Sequence, residues 1–156
     1  MWENRTGRKR QSCLVIIKVG DMYRILIVDD EKLERNGIQF LLKKTGTELE
    51  IFEAANGRDA LELLAHQKAE ILLTDIKMPY MNGLELAEKV SSQYPETKII
   101  MFSGYSDFSY AQTAIRYGVS DYILKPVDPW EFQKTMKKLL EEIKREKAEE
   151  DRKSVV

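Results

Sequence analysis

Cysteine and histidine are nearly missing from this sequence. Its 156 residues hold one cysteine, Cys13, and one histidine, His66. A single thiol excludes an intramolecular disulfide and fits a reducing compartment. A lone imidazole cannot build a histidine metal cluster, and His66, near the end of a helical stretch, reads as a surface residue. No apolar run approaches the ~20 residues of a membrane span. Neither charge dominates: 25 Lys and Arg face 26 Asp and Glu, a formal net charge of −1. That leaves no global field drawing the chain to nucleic acid. Internal repeats and low-complexity tracts are absent before residue 144. Residues 1–21 carry Arg8-Lys9-Arg10 and a short apolar patch from Cys13 to Ile17. The patch is too short for a signal peptide, and Lys18 and Asp21 follow where small residues belong. A cytoplasmic location is expected.

Hydrophobic residues make up 43% of the chain and charged residues 33%, enough for one core under a charged surface. From Met22 onward, apolar strand-like runs alternate with helical periods. Tyr23 to Val28 reads as a buried strand ending in Asp29-Asp30. Leu33, Gly37, Phe40 and Leu41 recur at helical spacing until Gly46. Leu49 to Ala54 is a second strand, followed by a helix capped by Asn56 with Ala60, Leu61 and Leu64 inward. Glu70 to Thr74 is the third strand, and Asn82 caps a helix burying Leu84, Ala87 and Val90. Lys98 to Phe102 is the fourth, and Ser106 caps a helix burying Phe108, Ala111 and Ile115. Asp121 to Leu124 is the fifth. Asp128 and Pro129 then open a last helix with Phe132, Met136, Leu139, Leu140 and Ile143 as its stripe. Five βα units imply a doubly wound α/β domain, a parallel sheet covered on both faces. Residues 22–143 form this domain, residues 1–21 an N-terminal extension, and residues 144–156 a charged helical extension or linker. Met22 is read as the natural start.

In such a sheet, functional groups gather beyond the carboxyl ends of the strands. Here those ends carry Asp29 and Asp30, then Asp75, then Ser103, then Lys125. Taken singly, Asp75 is open to three readings: helix cap, metal ligand or nucleophile. Three carboxylates at one edge repel one another unless a cation is present. Hard oxygen donors suit Mg²⁺, which binds through one or two carboxylates and keeps several waters. Lys125 adds a positive charge and Ser103 a hydroxyl. Together these groups read as a phosphoryl-handling site with Asp75 as nucleophile.

The stretches ILIVDDE (residues 25–31), LTDIKMPYMNG (73–83), FSG (102–104) and YILKP (122–126) resemble the receiver domain of two-component response regulators. The resemblance implies a flavodoxin-like (βα)5 fold with strand order 2-1-3-4-5. It makes Asp75 the phosphoacceptor, fed by a sensor histidine kinase that carries the donor histidine. It places Mg²⁺ on Asp30, Asp75 and the backbone carbonyl of Lys77, with Asp29 acting through a water. Ser103 becomes the switch hydroxyl, Tyr122 the switch aromatic, and Lys125 the lysine that meets the phosphoryl group, followed by a cis bond to Pro126. It also implies homodimerisation through the face of helix 4, strand 5 and helix 5. Lys77 and Tyr105 are the positions that set phosphoryl lifetime, and a bulky Tyr105 implies slow loss.

Residues 103–121, SGYSDFSYAQTAIRYGVSD, resemble receivers of regulators with an AraC-type DNA-binding output. DNA contact is then expected only through a domain absent from this chain. The chain reads as a piece of a longer regulator; a stand-alone receiver acting through protein contacts is the alternative. Two other classes fit less well. Aspartyl-phosphate phosphatases need Asp-x-Asp after the first strand, whereas this chain has Asp29-Asp30-Glu31. A flavin module needs a hydroxyl- and glycine-rich phosphate loop there, and acids would repel the phosphate.

Overall fold

The computed structural model describes residues 22–104 and 108–155. The expectations for residues 1–21, Tyr105, Ser106 and the Phe108 side chain fall outside the described residues. Five parallel strands, β1 (Tyr23–Val28), β2 (Leu49–Ala54), β3 (Ile71–Asp75), β4 (Lys98–Ser103) and β5 (Asp121–Leu124), form one sheet in the order β2-β1-β3-β4-β5. The helices are α1 (Lys32–Lys43), α2 (Gly57–His66), α3 (Gly83–Gln93), α4 (Phe108–Arg116) and α5 (Pro129–Val155). This is the expected doubly wound fold with strand order 2-1-3-4-5. The strand ends differ slightly from expectation: β3 runs one residue further, through Asp75, and β4 includes Ser103.

Strand alternation divides the interior into two cores, one on each face. Ile25 and Ile27 of β1 face α1 and α5, with Leu73, Phe102 and Phe132. Leu26 and Val28 face the other way, toward α2 and α3, with Leu72, Met101, Leu86 and Val90. Central strands buried on both sides explain why β1, β3 and β4 read as unbroken apolar runs. The α5 stripe packs as expected, from Phe132 to Ile143. Trp130, in the first turn of this helix, stands 74% exposed.

Two helix faces differ from the sequence reading. On α1, Ile38 and Leu42 are buried, whereas Leu33 is 84% and Phe40 60% exposed; of the expected stripe only Leu41 packs inward. Two apolar stripes satisfy the same period here, and polar contacts choose between them. Arg35 donates from Nη1 to the Asp29 carbonyl at 2.6 Å and pairs through Nε with Glu53 at 2.7 Å. That turns Arg35, and with it Ile38 and Leu42, toward the sheet. On α4, Ala114 is the buried residue among those described, and Ile115 lies outside, 73% exposed. Tyr110 of the same helix packs against the core beside it.

The charged run after Ile143 continues α5 without a break. It is also partnered along its first turns: Glu146 with Lys98 at 2.9 Å, and Lys147 with Glu70 at 3.6 Å and over the Tyr23 ring at 5.0 Å.

Asn82 caps α3 reciprocally. Its side chain accepts from Glu85 N–H at 2.9 Å, and Glu85 Oε1 accepts from Asn82 N–H at 3.0 Å. Gly83 follows and donates its N–H to the Ile76 carbonyl at 2.7 Å. A Cβ on Gly83 would lie 2.1 Å from the Asp75 carbonyl oxygen, so only glycine fits without moving the backbone that carries Asp75. Gly37 in α1 is the opposite case, with nothing within 4 Å of an added Cβ. Gly83→Ala is therefore expected to lower the unfolding free energy by about 1–3 kcal/mol. Gly37→Ala should raise it by about 0.5–1 kcal/mol, the helix-propensity difference. Urea denaturation of the two variants checks both signs, and equal effects would contradict the packing described.

Candidate functional site

The parallel register delivers the acids. Val28 pairs with Thr74, so the following residues, Asp29 and Asp75, emerge side by side at the carboxyl edge. Each is held by a local backbone donor: Glu31 N–H to Asp29 Oδ1 and Ile76 N–H to Asp75 Oδ1, both 2.9 Å. The Asp29 contact is a turn; the N-cap of α1 is Glu31, which makes no side-chain cap bond. Asp30 is exposed beside them, and Asp29, Asp30 and Asp75 each offer an oxygen within 4.8 Å of the others.

Lys125 follows β5, where Leu124 pairs with Ser103 and the Lys125 N–H donates to the Ser103 carbonyl at 2.6 Å. A cis bond joins Lys125 to Pro126. The ammonium reaches back across the edge, 3.5 Å from Asp29 Oδ2, 3.5 Å from Asp75 Oδ2 and 2.8 Å from Glu34 Oε1. Ser103 is buried at the end of β4. Tyr122 is partly buried against the core under α3 and α4, and its enclosed hydroxyl has no hydrogen-bond partner among the described residues. Lys77 is exposed in the loop after β3. Of the residues expected from the sequence, the structure thus gathers Asp29, Asp30, Asp75 and Lys125 around one point.

Glu34 is the member that sequence reasoning missed. Its signal was weak: an acid four residues after Asp30, on a helix whose inward face was assigned wrongly. Between α1 and the sheet lies a cavity of about 530 Å³, with Asp29, Glu34, Asp75 and Lys125 at one side and Ile38, Leu73 and Phe102 among its walls.

Electrostatics follow from burial. Desolvation pushes Asp29 up from its ordinary value of 3.8 to about 6, against the Glu31 N–H and Lys125, with Asp75 and Glu34 adding repulsion. Desolvation likewise raises Asp75, with Lys125 and the Ile76 N–H opposing and Asp30 adding to the rise. Burial pulls Lys125 down, but the hydrogen bond it donates to Glu34 and the charges of Asp75 and Asp29 outweigh it and leave its pKa above the ordinary value. Excess negative charge on hard oxygen donors is the donor set that Mg²⁺ fits. The acid cluster can thus accommodate a divalent cation.

Fold and edge chemistry together define a flavodoxin-like domain with an acid cluster faced by a lysine. The family model of the response regulator receiver domain matches residues 25–137, and the chain belongs to that family. It is 39% identical over 127 residues to the uncharacterized transcriptional regulatory protein YesN of Bacillus subtilis (strain 168), covering 80% of this chain and 34% of YesN. It is 36% identical to the sensory transduction protein LytT of the same strain, covering 75% of this chain and 48% of LytT. The chain therefore spans between a third and a half of the length of these curated relatives. Among solved structures, the receiver domain of the response regulator AraT from Geobacillus stearothermophilus is 37% identical with a TM-score of 0.72, covering 80% of this chain and 98% of that one. A two-component transcriptional regulator AraC from Clostridium phytofermentans ISDg is 36% identical with a TM-score of 0.72, covering 81% and 98%.

The raised Asp29 fixes the sign of a pH effect. The folded state holds the Asp29 proton more tightly than the unfolded chain does. The charge penalty is absent below 3.8, grows as pH rises toward about 6, and is complete above that. Metal-free protein is expected to lose stability between roughly pH 4 and 6, and Asp29→Asn to flatten that slope. Added Mg²⁺ should raise the melting midpoint more at about pH 7.5 than at about pH 5, because protons and the cation compete for the same carboxylates. Thermal denaturation in EDTA and in Mg²⁺ measures both; a slope of opposite sign would refute the burial argument.

Proposed function

We propose that this domain is a phosphorylation switch in which Asp75 accepts a phosphoryl group from a sensor histidine kinase. The observation that carries the reading is the ammonium of Lys125 at 3.5 Å from Asp75 Oδ2 beside the acid triad. An Asp75 carboxylate oxygen attacks phosphorus as the bond to the donor nitrogen breaks, and Lys125 takes charge on the transferred oxygens. Asp30, Asp75 and the Lys77 carbonyl, with Asp29 through a water, would hold Mg²⁺, which would supply further neutralisation of phosphate oxygens. Ser103 and Tyr122 are the switch pair: the hydroxyl turns to the phosphoryl group and the aromatic repacks. The Tyr122 hydroxyl, without a partner among the described residues, supports this, since a change of rotamer would break no hydrogen bond to them. The relatives' names support transcription control as the output, through a DNA-binding domain outside this chain. Such a switch works in the cytoplasm, and no described helix is long and apolar enough to cross a membrane.

Incubation with acetyl phosphate and Mg²⁺, followed by intact mass measurement, tests the central step. One phosphoryl group is expected on the wild type and none on Asp75→Asn. An adduct persisting in that variant would move the site, and multiple turnover on phosphoesters would favour a phosphatase.

Ile115 of α4 and Leu124 of β5 stand 73% and 42% exposed, which supports pairing of two phosphorylated copies through the face of α4, β5 and α5. Ile115→Glu is expected to weaken that dimer roughly tenfold or more, as loss of an interface anchor does, while leaving phosphoryl uptake intact. Sedimentation of the phosphorylated variant measures it; an unweakened dimer would exclude this face.

A further inference from the structure

Among the described residues, Lys125 has three carboxylate neighbours, and the nearest lies outside the acid triad. Glu34 Oε1 is 2.8 Å from Nζ, whereas the Asp29 and Asp75 oxygens are at 3.5 Å. The three differ in what their release would cost. Asp29 and Asp75 side chains are 8% and 14% exposed, so each would lose a counter-charge in a poorly solvated place. The Glu34 side chain is 45% exposed, and water can take it up at once. The lysine also has somewhere to go. The cavity of about 530 Å³ adjoins Lys125, and Gly37, one turn after Glu34, lines it with no side chain.

We propose that Glu34 is a positioning residue that competes with the phosphoryl group for Lys125, holding the ammonium in the unphosphorylated domain and releasing it when Asp75 is modified. This rests on Asp75 being the phosphoacceptor. The competition is decided by charge. Glu34 offers one negative charge at contact distance, whereas a phosphoryl group brings about two and three acceptor oxygens. The ammonium leaves Glu34 for the phosphoryl oxygens, and Glu34 turns to solvent. No bond other than the ion pair is broken. Glu34 thereby sets how much of the lysine's attraction is left for the phosphoryl group, and so the occupancy and lifetime of the phosphorylated state.

Competition leaves a signature that a merely structural residue does not. Loss of a structural contact lowers both stability and ligand affinity. Loss of a competitor lowers the stability of the free protein slightly and raises the affinity for the group it competed with. The test uses beryllium fluoride with Mg²⁺, a phosphoryl mimic that binds a carboxylate, titrated against the full chain and followed by ¹⁹F NMR. Glu34→Gln is expected to bind it about threefold more tightly, the scale of a part-exposed ion pair, while its urea midpoint falls slightly. Glu34→Asp keeps the charge but is one carbon shorter, and should lie between the two. The same ordering should appear in a slower loss of phosphoryl group by Glu34→Gln after acetyl phosphate treatment. Equal or weaker binding by Glu34→Gln, with wild-type binding intact and abolished by Asp75→Asn, would overturn the role of Glu34. Wild-type binding that survives Asp75→Asn would instead remove Asp75 as the acceptor.

Discussion

Two carboxylates emerge side by side from a buried parallel sheet, and one ammonium from a distant strand reaches both. That arrangement is the constraint from which the rest of the molecule follows. Burial disfavours charge on both Asp29 and Asp75 at this edge, and Lys125 offsets it at each. Lys125 can be nearby only if β1, β3, β4 and β5 lie in that order and register. The apolar cores on both faces fix the register, because a slip of one residue would turn every strand side chain to the wrong face. The acids are thus held in mutual repulsion by hydrophobic packing, which is far larger in sum than the charge penalty.

The backbone around Asp75 answers to the same constraint from the loop side. Gly83 comes so close to the Asp75 carbonyl that no Cβ fits, and its N–H ties the loop back to Ile76. The reciprocal cap of Asn82 and Glu85 then fixes where α3 begins. Between them, Tyr80 takes a positive φ of 70° with its ring fully exposed, a backbone conformation that a non-glycine residue adopts at a cost. The loop is closed tightly at both ends and strained in its middle. It holds the carboxylate of Asp75 firmly, and leaves the edge beyond it open to another molecule.

The strands and the acid edge were legible in the sequence because each depends on short, unambiguous signals. Tyr23 to Val28 runs into Asp29-Asp30 and Leu49 to Ala54 is soon followed by Asn56-Gly57, and both strands run between those residues. Asp29, Asp75 and Lys125 stand where apolar runs stop. The helix faces were less legible, for a geometric reason. On α1 two apolar stripes share one period, and burial follows the one aligned with Arg35 and its contacts on Asp29 and Glu53, which local spacing does not encode. Glu34 was hidden by the same ambiguity. A glutamate on a helix face is ordinarily solvated, and only the correct rotation of α1 brings it under the lysine of β5.

That rotation links packing to chemistry. The contacts that bury Ile38 and Leu42 also point Glu34 at Lys125, so the apolar face of α1 and the charge balance of the site are set by one orientation. A helix turned by a third of a turn would bury Leu33 and Phe40, leave Lys125 to the two aspartates alone, and draw the ammonium deeper into the triad. The observed orientation does the reverse. It provides an exposed partner for the lysine, one that can be given up to water, while the buried acids keep their geometry. Of the lysine's three carboxylate partners among the described residues, Glu34 is both the nearest and the most exposed. The buried Ser103 closes β4 at the same edge, and Tyr122, from the neighbouring strand, packs into the core beneath α3 and α4, so the charge balance of the site and the packing of that core meet on adjacent strands.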